Sequence, residues 1–143
     1  MDKKFKQENS LEFQDEEIVF REGDESFEMY VVQEGRIGIY TSTSAGEVLL
    51  AEIKKGDFVG EMSLLESLPR SATARSHGKS KLLSIQPGGF LLKIRRDPTF
   101  AFEILQALSR RIRTTNQKLL AEFEREGLGT EKIKIILQTM EQK

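Results

Sequence analysis

Glycine-containing turns recur at intervals of about ten residues through the first part of the chain, and this spacing limits the fold more than any other feature. Between the turns lie short segments rich in β-branched and aromatic residues. This pattern is typical of an all-β sandwich or barrel. Two of the predicted turns are Glu34–Gly35 and His77–Lys79. The predicted strands are Ile18–Phe20, Phe27–Val32, Ile37–Thr43, Val48–Ile53, Thr73–Ser76 and Leu82–Ile85.

After residue 86 the pattern becomes helical. A short helix is predicted at Phe90–Arg96, and it must end at Asp97 because a proline disfavours helix in the residue before it. Asp97 then serves as N-cap, with Pro98 at the first helical position, for a long helix that runs to about Glu126. Apolar residues repeat on it at spacings of three and four, which suits packing against a partner helix. The seam is Leu105, Leu108, Ile112, Thr115 and Leu119.

The seam predicts a homodimer, and a lone helix packed on its own barrel is the alternative. Residues 127–129, with two glycines, are expected to form a hinge. Thr130 can cap a short final helix with a single apolar stripe. The stripe is Ile133, Ile136, Leu137 and Met140.

Composition excludes several classes of function. The chain has no cysteine, which removes disulfides, thiol catalysis and cysteine zinc sites. Its 22 basic and 23 acidic residues nearly balance, so no global field favours nucleic acid or an anionic membrane. The polar N-terminus lacks a signal-peptide core, and no run of 18 apolar residues occurs. We therefore expect a soluble, cytoplasmic protein without membrane contacts.

The most informative segment is 58–73, which interrupts the strand pattern with the helical stretch Glu61–Glu66. Gly60 permits close backbone approach, and a helical turn after it presents free N–H groups to an anion. Arg70 adds a planar, permanently charged fork for anionic oxygens. Glu61, in this positive environment, is suited to accept hydrogen bonds from hydroxyl groups. The combination fits a sugar joined to a phosphate.

This segment closely resembles the phosphate-binding cassette of the cyclic-nucleotide-binding domain family, whose pattern is roughly F-G-E-x-x-L-L-x-x-x-P-R-x-A-T. The spacing between Glu61 and Arg70 matches, and Val59 gives the bacterial F-x-G-E variant. Gly23, Gly35 and Gly56 fit the pattern outside the cassette. The resemblance covers about 13–126 and implies an antiparallel, jelly-roll-like β-roll followed by a long and a short helix.

Carried over to this sequence, the resemblance implies that the ligand is cAMP, with cGMP as the alternative, and that no other cofactor or metal is needed. Glu61 would bond the ribose 2′-hydroxyl. The long helix resembles the dimer helix of catabolite-activator-type regulators, so its residues Thr115 and Asn116 would meet the purine, with Asn116 in place of a serine. The cyclic phosphate would be held by Arg70, Ser71 and backbone N–H groups near Gly60, Met62 and Ser63.

The predicted organisation follows from these features. A polar segment spans 1–12, the β-roll 13–96 with its cassette at 58–73, the lid and dimer helix 97–126, and the hinge with a short amphipathic helix 127–143.

Each functional residue also has a plainer interpretation. Glu61 and Arg70 could form a surface salt bridge, and Ser71 could be an ordinary strand residue. If instead they serve a ligand, we expect both Glu61 and Arg70 to be dispensable for folding. His77 could be a haem ligand, but its place beside Gly78 in a predicted turn favours a solvated loop position. The cluster Arg110–Arg113 could bind phosphate, or it could be the charged face of a helix.

Three classes of function follow. The first is a non-enzymatic sensor module whose long helix relays ligand binding to an effector that the sequence does not identify. The second is the sensor part of a catabolite-activator-type transcription regulator; the residues before Lys143 are too few for a recognition helix, so we expect no direct nucleic-acid binding. The third is a cyclic phosphodiesterase, which one histidine and no metal-ligand cluster argue against.

Overall fold

The computed structural model describes residues 9–127 and 129–141. The chain forms two compact units, divided between Arg96 and Asp97.

The described part of the first unit contains a six-stranded sheet whose pairings are all antiparallel. Two helices complete the unit, α1 at Glu61–Glu66 and α2 at Pro87–Arg96. The predicted mainly-β class is confirmed. The strands are β1 Ser10–Phe13, β2 Ile18–Phe20, β3 Met29–Thr43, β4 Gly46–Lys54, β5 Phe58–Val59 and β6 Thr73–Ile85. The central path of the sheet runs β1–β6–β3–β4, while β2 pairs with β6 and β5 pairs with β3.

The two longest strands correct the sequence analysis. Neither Glu34–Gly35 nor His77–Lys79 reverses the chain, because both lie inside continuous strands, β3 and β6. These two strands pair with each other, and their register shifts on both sides of Glu34 before the ladder resumes at Arg36 opposite His77. Glycines with positive φ are common at β-bulges as well as at turns, and here the two glycine signals face each other across one ladder. The predicted turns are therefore wrong, and the glycines at 35 and 78 mark a bulge in the ladder.

Two element boundaries also differ from the prediction. β1 begins at Ser10, so the predicted polar segment 1–12 is wrong over its last residues. Ser10 pairs with Leu83 and Phe13 with Ser80, so β1 owes its conformation to a strand far away in the sequence. Similarly, α2 begins at Pro87, three residues before the predicted start, because proline is tolerated in a first helical turn.

The core of the first unit lies on one face of β3 and β6 and collects side chains from five of the strands. Ile37, Leu82 and Ala74 are fully buried at 0% exposure. This packing holds β5 against β3 at Tyr30 and Val31 and so fixes where the cassette begins. The core residues are Phe20, Tyr30, Val32, Ile37, Ile53, Val59, Ala74 and Leu82.

The second unit consists of helices α3, Pro98–Arg125, and α4, Thr130–Glu141. Asp97 is the predicted N-cap, since its side chain accepts a hydrogen bond from the Phe100 N–H at 3.3 Å. The predicted end near Glu126 is confirmed, because that residue is the C-cap. The described helices include none with the length and apolarity needed to cross a bilayer.

Some predictions for the last helix fall outside the described residues. These are Leu128 in the hinge and the side chains of Thr130 and of the stripe Ile133, Ile136, Leu137 and Met140.

Candidate functional site

The cassette backbone turns from β5 into α1 at Gly60, which adopts the left-handed conformation with φ 88° and ψ 5°. The first helical hydrogen bond runs from the Leu64 N–H to the Gly60 carbonyl at 3.3 Å. The N–H groups of Glu61, Met62 and Ser63 therefore have no acceptor within the helix. The helical turn that the sequence predicted after Gly60 is therefore present, and its role in binding an anion stays a prediction.

Gly60 is also confined by its neighbours. A Cβ at this position would lie 2.7 Å from Arg70 Nη1 and 3.0 Å from the Glu28 carbonyl oxygen. Both the positive φ and the lack of space require glycine here. The group that approaches Gly60 closely is the guanidinium of Arg70, and the predicted close approach of a ligand stays a prediction.

The side chain of Arg70 makes hydrogen bonds to three residues of the site. Its guanidinium donates from Nε to Ser26 Oγ at 2.9 Å, from Nη1 to the Gly60 carbonyl at 3.2 Å and from Nη2 to the Glu28 carbonyl at 2.7 Å. The same group lies 4.1 Å from the centre of the Phe20 ring, within the range of a cation–π contact. Arg70 is only 3% exposed. A charge this deeply buried is stable only because each donor atom has an acceptor.

The main chain of Arg70 joins a second segment to the cassette. Its N–H donates to the Asp24 carbonyl at 2.9 Å, and its carbonyl accepts from the Gly23 N–H at 2.8 Å. The turn around Gly23, noted in the sequence only as a family-like position, is thereby fastened to the end of the cassette. Arg70 thus holds the loop between β2 and β3 against the cassette through both its backbone and its side chain.

Negative groups surround this guanidinium. Burial lowers the pKa of Arg70, while Glu28, Tyr30, Asp24 and Glu61 act in the opposite direction. Glu28 Oε1 lies 3.6 Å from Arg70 Nη2 and accepts a hydrogen bond from the Tyr30 hydroxyl at 2.9 Å. Burial, with this hydrogen bond, raises the pKa of Tyr30, so the phenol keeps its proton.

These contacts correct two expectations. Glu61 is 8% exposed and Arg70 3%, so a surface salt bridge between them is the wrong interpretation. The ion-pair contact of the Arg70 guanidinium is instead with Glu28. Arg70 also does not serve a ligand alone, because its hydrogen bonds hold loops of the fold, and we no longer expect it to be dispensable for folding.

The remaining predicted site residues lie in varied surroundings. Ser63 is buried, Met62 is 54% exposed, and Ser71 is exposed. Thr115, exposed, and Asn116, half-buried, lie on α3 in the second unit. Their assignments to phosphate and base stay predictions. In the predicted dimer seam, Leu105 and Ile112 are each 64% exposed, and Leu108 and Leu119 are half-buried.

The prediction for His77 is wrong. It is a partly buried residue of β6, paired with Arg36, and not a solvated loop residue. Its Nδ1 donates to Glu52 Oε2 at 3.0 Å, since a carboxylate can only accept, and its Nε2 is hydrogen-bonded to the Tyr40 hydroxyl. The hydrogen bond from His77 lowers the pKa of Glu52. Among the described residues, no group of three or more metal-ligating side chains could hold a metal ion.

Sequence reasoning missed Phe20, Ser26 and Glu28 around Arg70. The two hydrogen-bonding partners precede it by 44 and 42 positions, so no local spacing could reveal them. A signal was present only in the glycine at position 60, whose need for space implied a bulky neighbour.

Comparisons with known proteins agree with this geometry. The profile of the family described as "Cyclic nucleotide-binding domain" matches residues 10–97. The chain is 34% identical over 108 residues to the cyclic AMP receptor protein of Thermus thermophilus, covering 74% of this chain and 50% of that protein. It is 32% identical over 79 residues to the cAMP-dependent protein kinase regulatory subunit of Dictyostelium discoideum, covering 52% of this chain and 24% of that one.

A solved structure gives the same result. The crystal structure of the Thermus thermophilus catabolite activator protein superposes with a TM-score of 0.70 and 29% identity, covering 84% of this chain and 64% of that chain. The chain therefore spans half or less of the length of these two curated relatives.

Proposed function

Because this chain belongs to the cyclic nucleotide-binding domain family, we propose that it is a sensor module whose ligand is cAMP. The observation that carries the proposal is the cassette itself, in which the buried guanidinium of Arg70 donates to the Gly60 carbonyl directly before the start of α1. The two curated relatives described above carry cyclic AMP or cAMP in their names. The family is regulatory, and we propose that this chain is likewise not an enzyme and acts in the cytoplasm.

In this proposal each predicted residue has one role. Arg70, Ser71 and the backbone N–H groups of the cassette hold the cyclic phosphate, and Glu61 accepts a hydrogen bond from the ribose 2′-hydroxyl. Thr115 and Asn116 on α3 meet the purine. Ligand binding then shifts the arrangement of α3, and the hinge at 127–129 passes the change to an effector.

The direct test is calorimetric titration with cAMP, cGMP and 5′-AMP. We expect cAMP to bind most tightly, because the linear nucleotide carries extra charge and lacks the compact ring. Equal affinities for cAMP and 5′-AMP would contradict a selective cyclic-nucleotide site.

The role of Glu61 is tested by Glu61→Ala together with 2′-deoxy-cAMP. Loss of a charge-assisted hydrogen bond to a hydroxyl should weaken cAMP binding by about 1.5–3 kcal/mol. The deoxy analogue lacks that hydroxyl, so its affinity should change much less. A similar loss for both nucleotides would show that Glu61 does not contact the ribose.

We also propose a homodimer through the α3 seam, as sequence spacing suggests and as the exposure of Leu105 and Ile112 allows. Ile112→Asp would place a charge in that interface and should give a monomer in sedimentation. Gln117→Asp, at an exposed position off the seam, is the control and should remain dimeric. A wild-type protein that sediments as a monomer with and without cAMP would contradict this proposal.

A finer alternative is that the chain is the sensor part of a catabolite-activator-type transcription regulator. The similarity to the Thermus protein and the long helix α3 favour it. Binding of the protein from its full gene to operator DNA, measured with and without cAMP, would separate this alternative from a sensor with another effector.

A further inference from the structure

A carboxylate is fixed beside the guanidinium that should meet the phosphate. Glu28 Oε1 accepts from the Tyr30 hydroxyl at 2.9 Å and lies 3.6 Å from Arg70 Nη2. Tyr30 is buried at 6% exposure, so its hydroxyl is a rigid donor, while the Glu28 side chain is 22% exposed. The hydrogen bond from Tyr30 therefore holds the negative charge of Glu28 at the edge of the site.

This carboxylate is not needed to hold Arg70. The guanidinium is already bonded to Ser26 Oγ and to the carbonyls of Gly60 and Glu28 at 2.7–3.2 Å, all shorter than its 3.6 Å contact with the Glu28 carboxylate. Two of those acceptors are backbone atoms that a side-chain substitution leaves in place. The main effect of the Glu28 carboxylate at Arg70 is therefore its charge.

Carboxylates act on Arg70 before any ligand arrives. Glu28 lies within ion-pair distance of the guanidinium, and Asp24 and Glu61 also raise the pKa of Arg70 through their charges. An incoming anion meets both the attraction of Arg70 and the repulsion of these groups. Because Coulomb energy is proportional to the ligand's charge, a dianion meets about twice the repulsion that a monoanion meets.

We propose that Glu28 is a charge-selectivity residue, which makes the site accept a phosphodiester monoanion and reject phosphomonoester dianions. A cyclic nucleotide carries one negative charge on its diester. A linear monophosphate carries roughly −1.5 to −2 near neutral pH. The inference rests on the proposed function and adds the reason why a linear nucleotide is excluded.

The experiment compares wild type with Glu28→Gln, which keeps the side chain's size and an oxygen acceptor for Tyr30. Affinities for cAMP and 5′-AMP are measured by calorimetry at pH 7.5 and fixed ionic strength. In the variant, cAMP should bind about 3- to 10-fold more tightly and 5′-AMP about 10- to 100-fold more tightly, so the preference for cAMP falls. An unchanged preference, or weaker binding of both nucleotides, would overturn the proposal.

Glu25→Gln is the matched control, because it removes the same charge from an exposed position on the same loop. It should leave the preference as in wild type, and an equal change in this variant would reduce the effect to net charge and overturn the proposal. Wild type that binds neither cAMP nor cGMP would refute the proposed function itself. Wild type that binds cAMP, with the same preference in Glu28→Gln, would refute only the role of Glu28.

Discussion

Two polar clusters occupy the same β-unit and are built in opposite ways. Around Arg70, acceptors are mostly backbone carbonyls of loops, brought together by a glycine in the left-handed conformation. Around His77, partners are side chains of regular strands, Tyr40 on β3 and Glu52 on β4. The first cluster determines backbone shape and is buried; the second joins neighbouring strands near the surface. We therefore expect substitution of Arg70 to lower both stability and cAMP affinity, and substitution of His77 to lower stability alone.

The largest expected effect is that of Arg70→Ala. It leaves the partly buried Gly60 and Glu28 carbonyls without the Arg70 donor and removes a buried side chain, so it should lower the free energy of unfolding by about 2–5 kcal/mol. Affinity for cAMP should fall by about 2–5 kcal/mol as well. Urea unfolding and calorimetry measure the two quantities. A variant that binds cAMP as tightly as wild type would refute the central role of Arg70.

The next effect tests whether the cassette depends on the contact between Gly60 and Arg70. Gly60 and Gly56 both have φ 88°, but a Cβ at Gly56 would meet nothing within 4 Å. Gly56→Ala should therefore cost only the left-handed penalty of about 1–2 kcal/mol. Gly60→Ala should lower the free energy of unfolding by more than that amount, because its Cβ would also displace the Arg70 guanidinium. Of the two variants, only Gly60→Ala should weaken cAMP binding. Equal losses of stability with unchanged affinity would show that the guanidinium position is not critical.

A smaller effect is expected for His77→Ala. It removes two side-chain hydrogen bonds from a partly buried position and should lower the free energy of unfolding by about 1–2 kcal/mol. Tyr40→Phe removes one of the two and should cost less. Affinity for cAMP should stay at the wild-type value in both variants. A clear loss of affinity in His77→Ala would mean that the two clusters are coupled.

The smallest effect concerns acid stability. The folded-state pKa of Glu52 is lowered from 4.5. Its ionised carboxylate therefore adds to the free energy of unfolding above pH 4.5, and this contribution is lost as the pH falls through the folded-state pKa. Glu52→Gln should therefore be slightly less stable than wild type at pH 7, with the difference shrinking below pH 4.5. Urea unfolding at pH 7, 5 and 3.5 measures this, and a difference that is constant with pH would contradict the assignment.

The same contrast explains what the sequence could predict. The mainly-β class, helix α1, the N-cap at Asp97 and the cassette follow from local patterns, because turn residues, helix caps and the Glu61–Arg70 spacing act over short distances. The family resemblance then assigned Arg70 to the cyclic phosphate, and that role stays a prediction.

The other features depend on contacts between distant residues. Glu28 reaches Arg70 across 42 positions, and His77 reaches Glu52 and Tyr40 across 25 and 37. A glycine at position 35 or 78 fits a turn or a bulge equally well until its partner strand is known. Only the pairing of β3 with β6 decides between a turn and a bulge, which the local sequence does not distinguish.

The pairing of β1 with β6 has a consequence for how the protein is made. Ser10 pairs with Leu83, so β1 finds its partner only after the other strands of this sheet have been synthesised. At roughly 5–20 residues per second, this wait lasts several seconds. Sheets with such distant pairings also fold slowly, because the entropy of closing a long loop is lost before the contacts form. A nascent chain should therefore depend on β3 and β4, a local hairpin, as its earliest stable structure.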